Sequence, residues 1–139
     1  MAALGLALGV VCLSLVFTQE TSIVPTFVTN TPVIQPSRDL TLRCSVSAPH
    51  TYVALIDIRM NNNGRYIEAD TYRYTEFPRG NITLPEMTRE KFDNGSAFLQ
   101  VTWKNPGPDQ TGFYNCSVLA KDTNSNRGLR WSWKGLTIS

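Results

Sequence analysis

Few residues in this chain of 139 carry obvious chemistry: one histidine, three cysteines, scattered carboxylates and three Asn-x-Ser/Thr tripeptides. The stretch "DQTGFYNC", Asp109 to Cys116, sets an acid, a glycine and a tyrosine at fixed offsets before a thiol. A metal site, a catalytic thiol and a structural corner each have a use for that pattern. A metal site needs converging ligands, but Asp57, Glu68, Asp70 and Glu76 are scattered over expected strands without EF-hand or His-x-x-x-His spacing. A catalytic thiol needs a base, and the single histidine, His50, falls in the loop-like "SAPHTY". No glycine-rich phosphate loop is present. The expectation is no catalytic residue, no metal, no cofactor and no enzyme.

The cysteines take their meaning from the start of the chain. "AALGLALGVVCLSLVF", Ala2 to Phe17, carries no charge, and polar "TQETS" follows. A bilayer span needs about 20 residues, so this shorter run fits the apolar region of a secretory signal. Val16 and Thr18 are small enough for the −3 and −1 positions of a cleavage site. Residues 1–18 are therefore expected to be a signal peptide, with the mature chain outside the cell. No second apolar run of spanning length follows, so no membrane span is expected in the mature chain. Cleavage removes Cys12 and leaves Cys44 and Cys116. In an oxidising compartment such a pair reads as a disulfide. Closing a loop of about 70 residues stabilises a fold by roughly 4 kcal/mol in the chain-entropy account. Thirteen Lys and Arg against 11 Asp and Glu give a net charge of +2, with no basic cluster, so no nucleic-acid partner is expected.

The elements that must position these residues follow from alternation. Residues 19–35 hold Pro25 and Pro32 and suit an extended lead-in or edge strand, because proline cannot donate to an interior ladder. Residues 36–139 make the domain. In "LTLRCSV", Leu40, Leu42, Cys44 and Val46 share one face. "YVALIDIRM" is expected to turn Tyr52, Ala54, Ile56, Ile58 and Met60 inward and Val53, Leu55, Asp57 and Arg59 outward. "NNNGR" is a hairpin turn by composition, and "YIEADTYRY" resumes a strand. Pro78, Gly80 and Pro85 interrupt the next stretch, where "PEMTREKF" suggests a helical turn. "SAFLQVTW" places Leu99, Val101 and Trp103 together, and "FYNCSVLAK" does the same for Tyr114, Cys116, Val118 and Ala120. "LRWSWKGLTIS" is a last strand with an expected kink or bulge at Gly135. No segment sustains a 3.6-residue period, so the fold class is all-β, a two-sheet antiparallel sandwich.

A bridge from Cys44 to Cys116 would staple the two sheets. Tyr114, on the same face as Cys116, can bury its ring and return its hydroxyl to the preceding corner. Gly112 permits a tight turn, and Asp109 can accept backbone N–H groups or pair with Arg79 or Arg89. The pattern is a corner, with no reaction to perform.

Asp109-x-x-Gly112-x-Tyr114-x-Cys116, with Leu99-x-Val101 and the distant Cys44, resembles an immunoglobulin-superfamily domain over residues 36–139. The cysteine spacing, with two further strand-like pieces after "NNNG", is closer to the variable type. Two departures stand out. The family's core tryptophan, expected about 12 to 14 residues after the first cysteine, is replaced by Ile56 and Ile58, and "WSWKGLTIS" lacks a G-x-G bulge. Both set the chain apart from antigen-receptor domains. More finely, "SAFLQVTWKNPGPDQTGFYNC" is similar to the immunoglobulin domains at the front of snail fibrinogen-related lectins.

The resemblance implies a secreted recognition module that binds an extracellular protein or a surface glycan, with innate defence as its setting. A structural or adhesive matrix domain, and a fragment of a longer receptor or lectin, are the alternatives. It also implies that the loops around His50 and around "DTNSNR", with Asn124 and Arg127, gather at one end. A second candidate surface is the outer face of the sheet carrying Cys116, where Val53, Leu55, Phe113 and Leu119 are expected and two copies can self-associate. Trp131 and Trp133 share one side of the last strand. At least one is expected to fill the volume left by the missing tryptophan; otherwise the pair is open to a partner or a sugar ring. Asn81, Asn94 and Asn115 head the three sequons, and a glycan on Asn115 would obstruct face-to-face pairing.

Overall fold

The computed structural model describes residues 23–62, 65–71, 86–91 and 96–139. The expected signal peptide, the sequons at Asn81 and Asn94, and Arg79 lie outside them. Among the described residues eight strands follow in chain order: β1 (Thr26–Thr29), β2 (Leu40–Ser47), β3 (Thr51–Asn62), β4 (Arg65–Asp70), β5 (Glu86–Lys91), β6 (Ser96–Trp103), β7 (Gly112–Asp122) and β8 (Arg130–Ile138). They form two antiparallel sheets, ordered β1-β2-β6-β5 and β4-β3-β7-β8.

The core lies between the sheets and follows the period-two pattern. β2 and β6 alternate without a break, burying Leu40, Leu42, Cys44 and Val46 from one and Ala97, Leu99, Val101 and Trp103 from the other. Tyr114, Cys116, Val118 and Ala120 of β7 close it from the second sheet. The Cys44–Cys116 disulfide crosses between the sheets, joining residues 72 positions apart with Cα atoms 5.7 Å from each other.

Four local expectations are corrected. "PEMTREKF" is no helical turn: Glu86–Lys91 is an edge strand paired with β6 from Glu86↔Thr102 to Lys91↔Ala97. Ladder hydrogen bonds to a well-formed neighbour outweigh the few tenths of a kcal/mol of helix propensity in so short a run. The irregularity expected at Gly135 lies in β3 instead. The β7–β8 register is continuous from Gly112↔Ile138 to Ala120↔Arg130, whereas β3 shifts against β7 between Val53 and Leu55. That bulge inverts the alternation at the start of β3. Val53 is therefore buried, 3% exposed, and absent from the outer face, while Tyr52 is turned outward. Finally, neither Trp131 nor Trp133 enters the core; they are 53% and 63% exposed. The buried indole is Trp103, edge-on to Tyr114 with ring centroids 5.8 Å apart, and Ile58 stands opposite Cys116.

The lead-in ties the sheets together at their edge. β1 pairs with β2, and the chain then crosses to β8, where Ile34 N–H donates to the Ser139 carbonyl (2.7 Å) and Ser139 N–H to the Pro32 carbonyl (2.9 Å). Pro32 cannot donate, but this contact requires only its acceptor. The Ser132 hydroxyl also donates to the Ile23 carbonyl.

Candidate functional site

The DQTGFYNC stretch resolves into a corner. Pro108–Gln110 is a single 3₁₀ turn, and the buried Tyr114 hydroxyl donates to the Gln110 carbonyl at 2.7 Å. Gln110 Oε1 accepts from Gly107 N–H at 2.7 Å, closing the turn from inside. Gly112 has φ 146°, a conformation that L side chains rarely adopt, so the strand can start only from glycine there at low cost. Asp109 lies within the turn; the side chains of Arg79 and Arg89, its expected partners, are not among those described. The Cys44 and Cys116 sulfurs are consumed in the disulfide. Among the described residues no group of His, Cys, Asp and Glu could hold a metal ion.

Chemistry available to a partner lies elsewhere, at one end of the second sheet. The turn after β2 ends at His50, which is exposed and has φ 57°. That conformation turns its carbonyl toward the loop between β7 and β8, where Thr123 donates to it twice, from its N–H (2.7 Å) and its hydroxyl (2.8 Å). The two loops are thereby held as one platform. The second loop is further fixed from within, by Asn124 N–H to Asp122 Oδ1 (2.8 Å) and Arg127 N–H to Ser125 Oγ (3.0 Å), and it leaves Asn124 and Arg127 exposed.

Beside this platform the outer face of the sheet begins. Residues directly opposite in a ladder share a face. Lys121 stands opposite Tyr52, Leu119 opposite Leu55 and Trp131, and Ser117 opposite Asp57 and Trp133. The Lys121 ammonium lies 5.6 Å from the centre of the Tyr52 ring, within reach of a cation–π attraction. Tyr52 and Trp131 thus flank the loop platform with exposed rings, whereas Leu55 and Leu119 are only partly exposed. Tyr52 and Lys121 escaped the sequence reading because the bulge that turns Tyr52 outward leaves no mark in "TYVALI".

Farther along the same face lies a group the alternation did not flag. Asp57 points away from the core, yet it is 0% exposed. Burial pushes its carboxyl up from 3.8 to about 6, against the pull of the Arg59 guanidinium 3.2 Å away. Glu68 and Asp70 add to the rise, while Ser117 favours the ionised form. Neither carboxylate oxygen completes a hydrogen bond. Arg59 is shared, its Nη2 also lying 3.0 Å from Glu68 Oε1.

No family model matches this chain, and no curated protein does. Among solved structures, murine CRIg, which has an immunoglobulin-like domain of the variable type, matches with a TM-score of 0.50 at 14% identity, over 83% of this chain and 98% of that one. Likeness at that identity speaks for the fold: the chain is an immunoglobulin-like sandwich with one inter-sheet disulfide. It does not reach the finer similarity to the snail lectins, which rests on residues 96–116 alone.

Proposed function

We propose that the protein is an extracellular recognition module that binds another protein through the loop end of its β4-β3-β7-β8 sheet. The observation that carries this reading is the double hydrogen bond from Thr123 to the His50 carbonyl. It fixes the β2–β3 connection between the sheets to the β7–β8 hairpin loop, so little ordering entropy is lost on binding. The fixed platform presents His50, Asn124 and Arg127, with the exposed rings of Tyr52 and Trp131 alongside. Aromatic and arginine side chains supply most of the energy at protein interfaces, which favours a protein partner. The uncharged start of the chain, read as a secretory signal, and the disulfide support a setting outside the cell.

The test is a multimerised domain applied to an array of extracellular proteins and, in parallel, to an array of glycans. A protein ligand is expected, with binding lost in Arg127→Glu and Trp131→Ala variants that retain the wild-type melting temperature. Binding confined to the glycan array would replace the protein partner with a sugar. A ligand bound equally well by both variants would move the site elsewhere on the domain.

A further inference from the structure

The sequon Asn115-Cys116-Ser117 lies in the middle of β7. Asn115 stands opposite Gly135 on β8 and Arg59 on β3. Phe113, two residues earlier on the same face and 51% exposed, lays its ring across Gly135: a Cβ there would come within 2.4 Å of Phe113 Cζ. Trp133, next along β8 on this face, is diagonal to Asn115 and more exposed still. Asn115 therefore emerges between two open aromatic rings. Its Oδ1 is buried without a hydrogen-bond partner, although the residue as a whole is only half-buried. The exposed part of the residue is therefore not Oδ1, and in a planar amide Nδ2 diverges from that oxygen.

We propose that Asn115 is an N-glycosylation site whose first N-acetylglucosamine rests between the rings of Phe113 and Trp133. The inference rests on the extracellular reading above, since the modification requires the secretory route. The donor is an oligosaccharide linked through pyrophosphate to a lipid. Asn115 Nδ2 bonds to the anomeric carbon, the bond from that carbon to the pyrophosphate oxygen breaks, the pyrophosphate leaves with the electron pair, and an amide proton passes to a base. The transfer precedes folding, while Cys116 is unpaired and the segment is extended. On folding, Cys116 turns inward and Asn115 outward, so disulfide and glycan end on opposite sides of the strand. A pyranose presents a face of C–H groups, which suits the electron-rich face of an aromatic ring. The glycan thereby covers the half of the outer face farther from the loops. Two copies cannot then pack face to face there, and the loop end stays open for its partner.

The experiment uses full-length protein secreted from a cell line that makes high-mannose glycans. Peptide mapping should find Asn115 occupied. Acrylamide quenching of tryptophan is then measured on intact protein, after trimming each glycan to one sugar with endoglycosidase H, and after complete removal with peptide N-glycosidase F. Trp131 and Trp133 are the exposed indoles among the described residues. Covering one of them should lower the quenching constant by roughly half, an effect that one remaining sugar preserves and complete removal abolishes. Ser117→Ala, which keeps Asn115 but destroys the sequon, should behave as the fully stripped protein. An unmodified Asn115 on a chain occupied at Asn81 or Asn94 overturns the proposal and leaves the extracellular reading intact. Retention of the chain inside the cell overturns both. Occupancy at Asn115 with quenching indifferent to complete removal overturns the placement of the sugar on the rings.

Discussion

The two sheets present outer faces of opposite character. On the β1-β2-β6-β5 sheet, neighbours across the β2–β6 ladder satisfy one another: Thr41 and Thr102 hydroxyls at 3.0 Å, Ser47 and Ser96 at 3.3 Å, Arg43 donating to Gln100 at 3.5 Å. Its aromatic ring, Phe98, is capped by the Arg43 guanidinium 4.0 Å from the ring centre. The β4-β3-β7-β8 sheet shows the reverse: Phe113, Trp131 and Trp133 are more than half exposed, and Asn115 Oδ1 and both Asp57 oxygens lack hydrogen bonds. Side-chain ladders of the first kind need only water beyond them. Exposed rings beside unsatisfied polar atoms cost stability in the isolated domain. The contrast teaches that the open aromatic rings of the described residues belong to one outer face, although both faces come from the same period-two pattern.

The largest expected effect asks whether the aromatic face contributes to folding at all. Trp103, 1% exposed, should cost about 3 to 5 kcal/mol when replaced by alanine, through lost transfer energy and the cavity left beside Tyr114. Trp133→Ala should stay within about 0.5 kcal/mol, as surface substitutions do. Urea denaturation of the two variants measures both. A Trp133 cost close to that of Trp103 would make the outer face a second core and remove the contrast.

Next in size is Asp57. Its folded carboxyl titrates near 6 against 3.8 when unfolded, so the folded state favours the protonated form. Stability is then fullest below pH 4, falls as pH rises toward 6, and levels off above; the loss is about 2–3 kcal/mol. Asp57→Asn should flatten the stability profile between pH 4 and 6, whatever it does to the absolute value. A wild-type profile that rises across this window would mean that Arg59 outweighs burial. On the opposite sheet, Arg43→Ala should leave the slope in that window as it is.

Much of the fold was legible because β2 and β6 each bury one uninterrupted face, and cysteine spacing with the tyrosine two residues earlier fixed the staple and its corner. What was illegible has physical causes. "TYVALID" is apolar in either phase, so nothing in it shows where a bulge inverts the alternation, and Val53 and Tyr52 exchange sides. Trp131 and Trp133 look like core residues by composition, but register sets them opposite Leu119 and Ser117 on the far side of the strand. β5 is a mostly polar edge strand paired along its length with β6, a tertiary effect absent from "EMTREK" itself. At the candidate site the resemblance brought His50, Asn124 and Arg127 to one end, while the bond between their loops depends on a backbone φ at His50 that composition does not encode.

The smallest effect concerns the glycine beneath Phe113. A glycine within a strand normally costs roughly 0.5 to 1 kcal/mol relative to alanine, so Gly135→Ala would stabilise β8 were nothing above it. The added Cβ meets the Phe113 ring, and because the contact is with the far tip of that side chain, the ring is displaced without breaking the ladder. A bare glycine on an edge strand covered by a cross-strand aromatic is a known device for protecting backbone from solvent. In the wild-type background the two effects should nearly cancel, whereas in a Phe113→Ala background Gly135→Ala should stabilise by about 0.5–1 kcal/mol. The double-mutant cycle isolates that coupling. Equal effects in both backgrounds would show that the ring does not rest on the glycine, and the first sugar on Asn115 would lose one of its two walls.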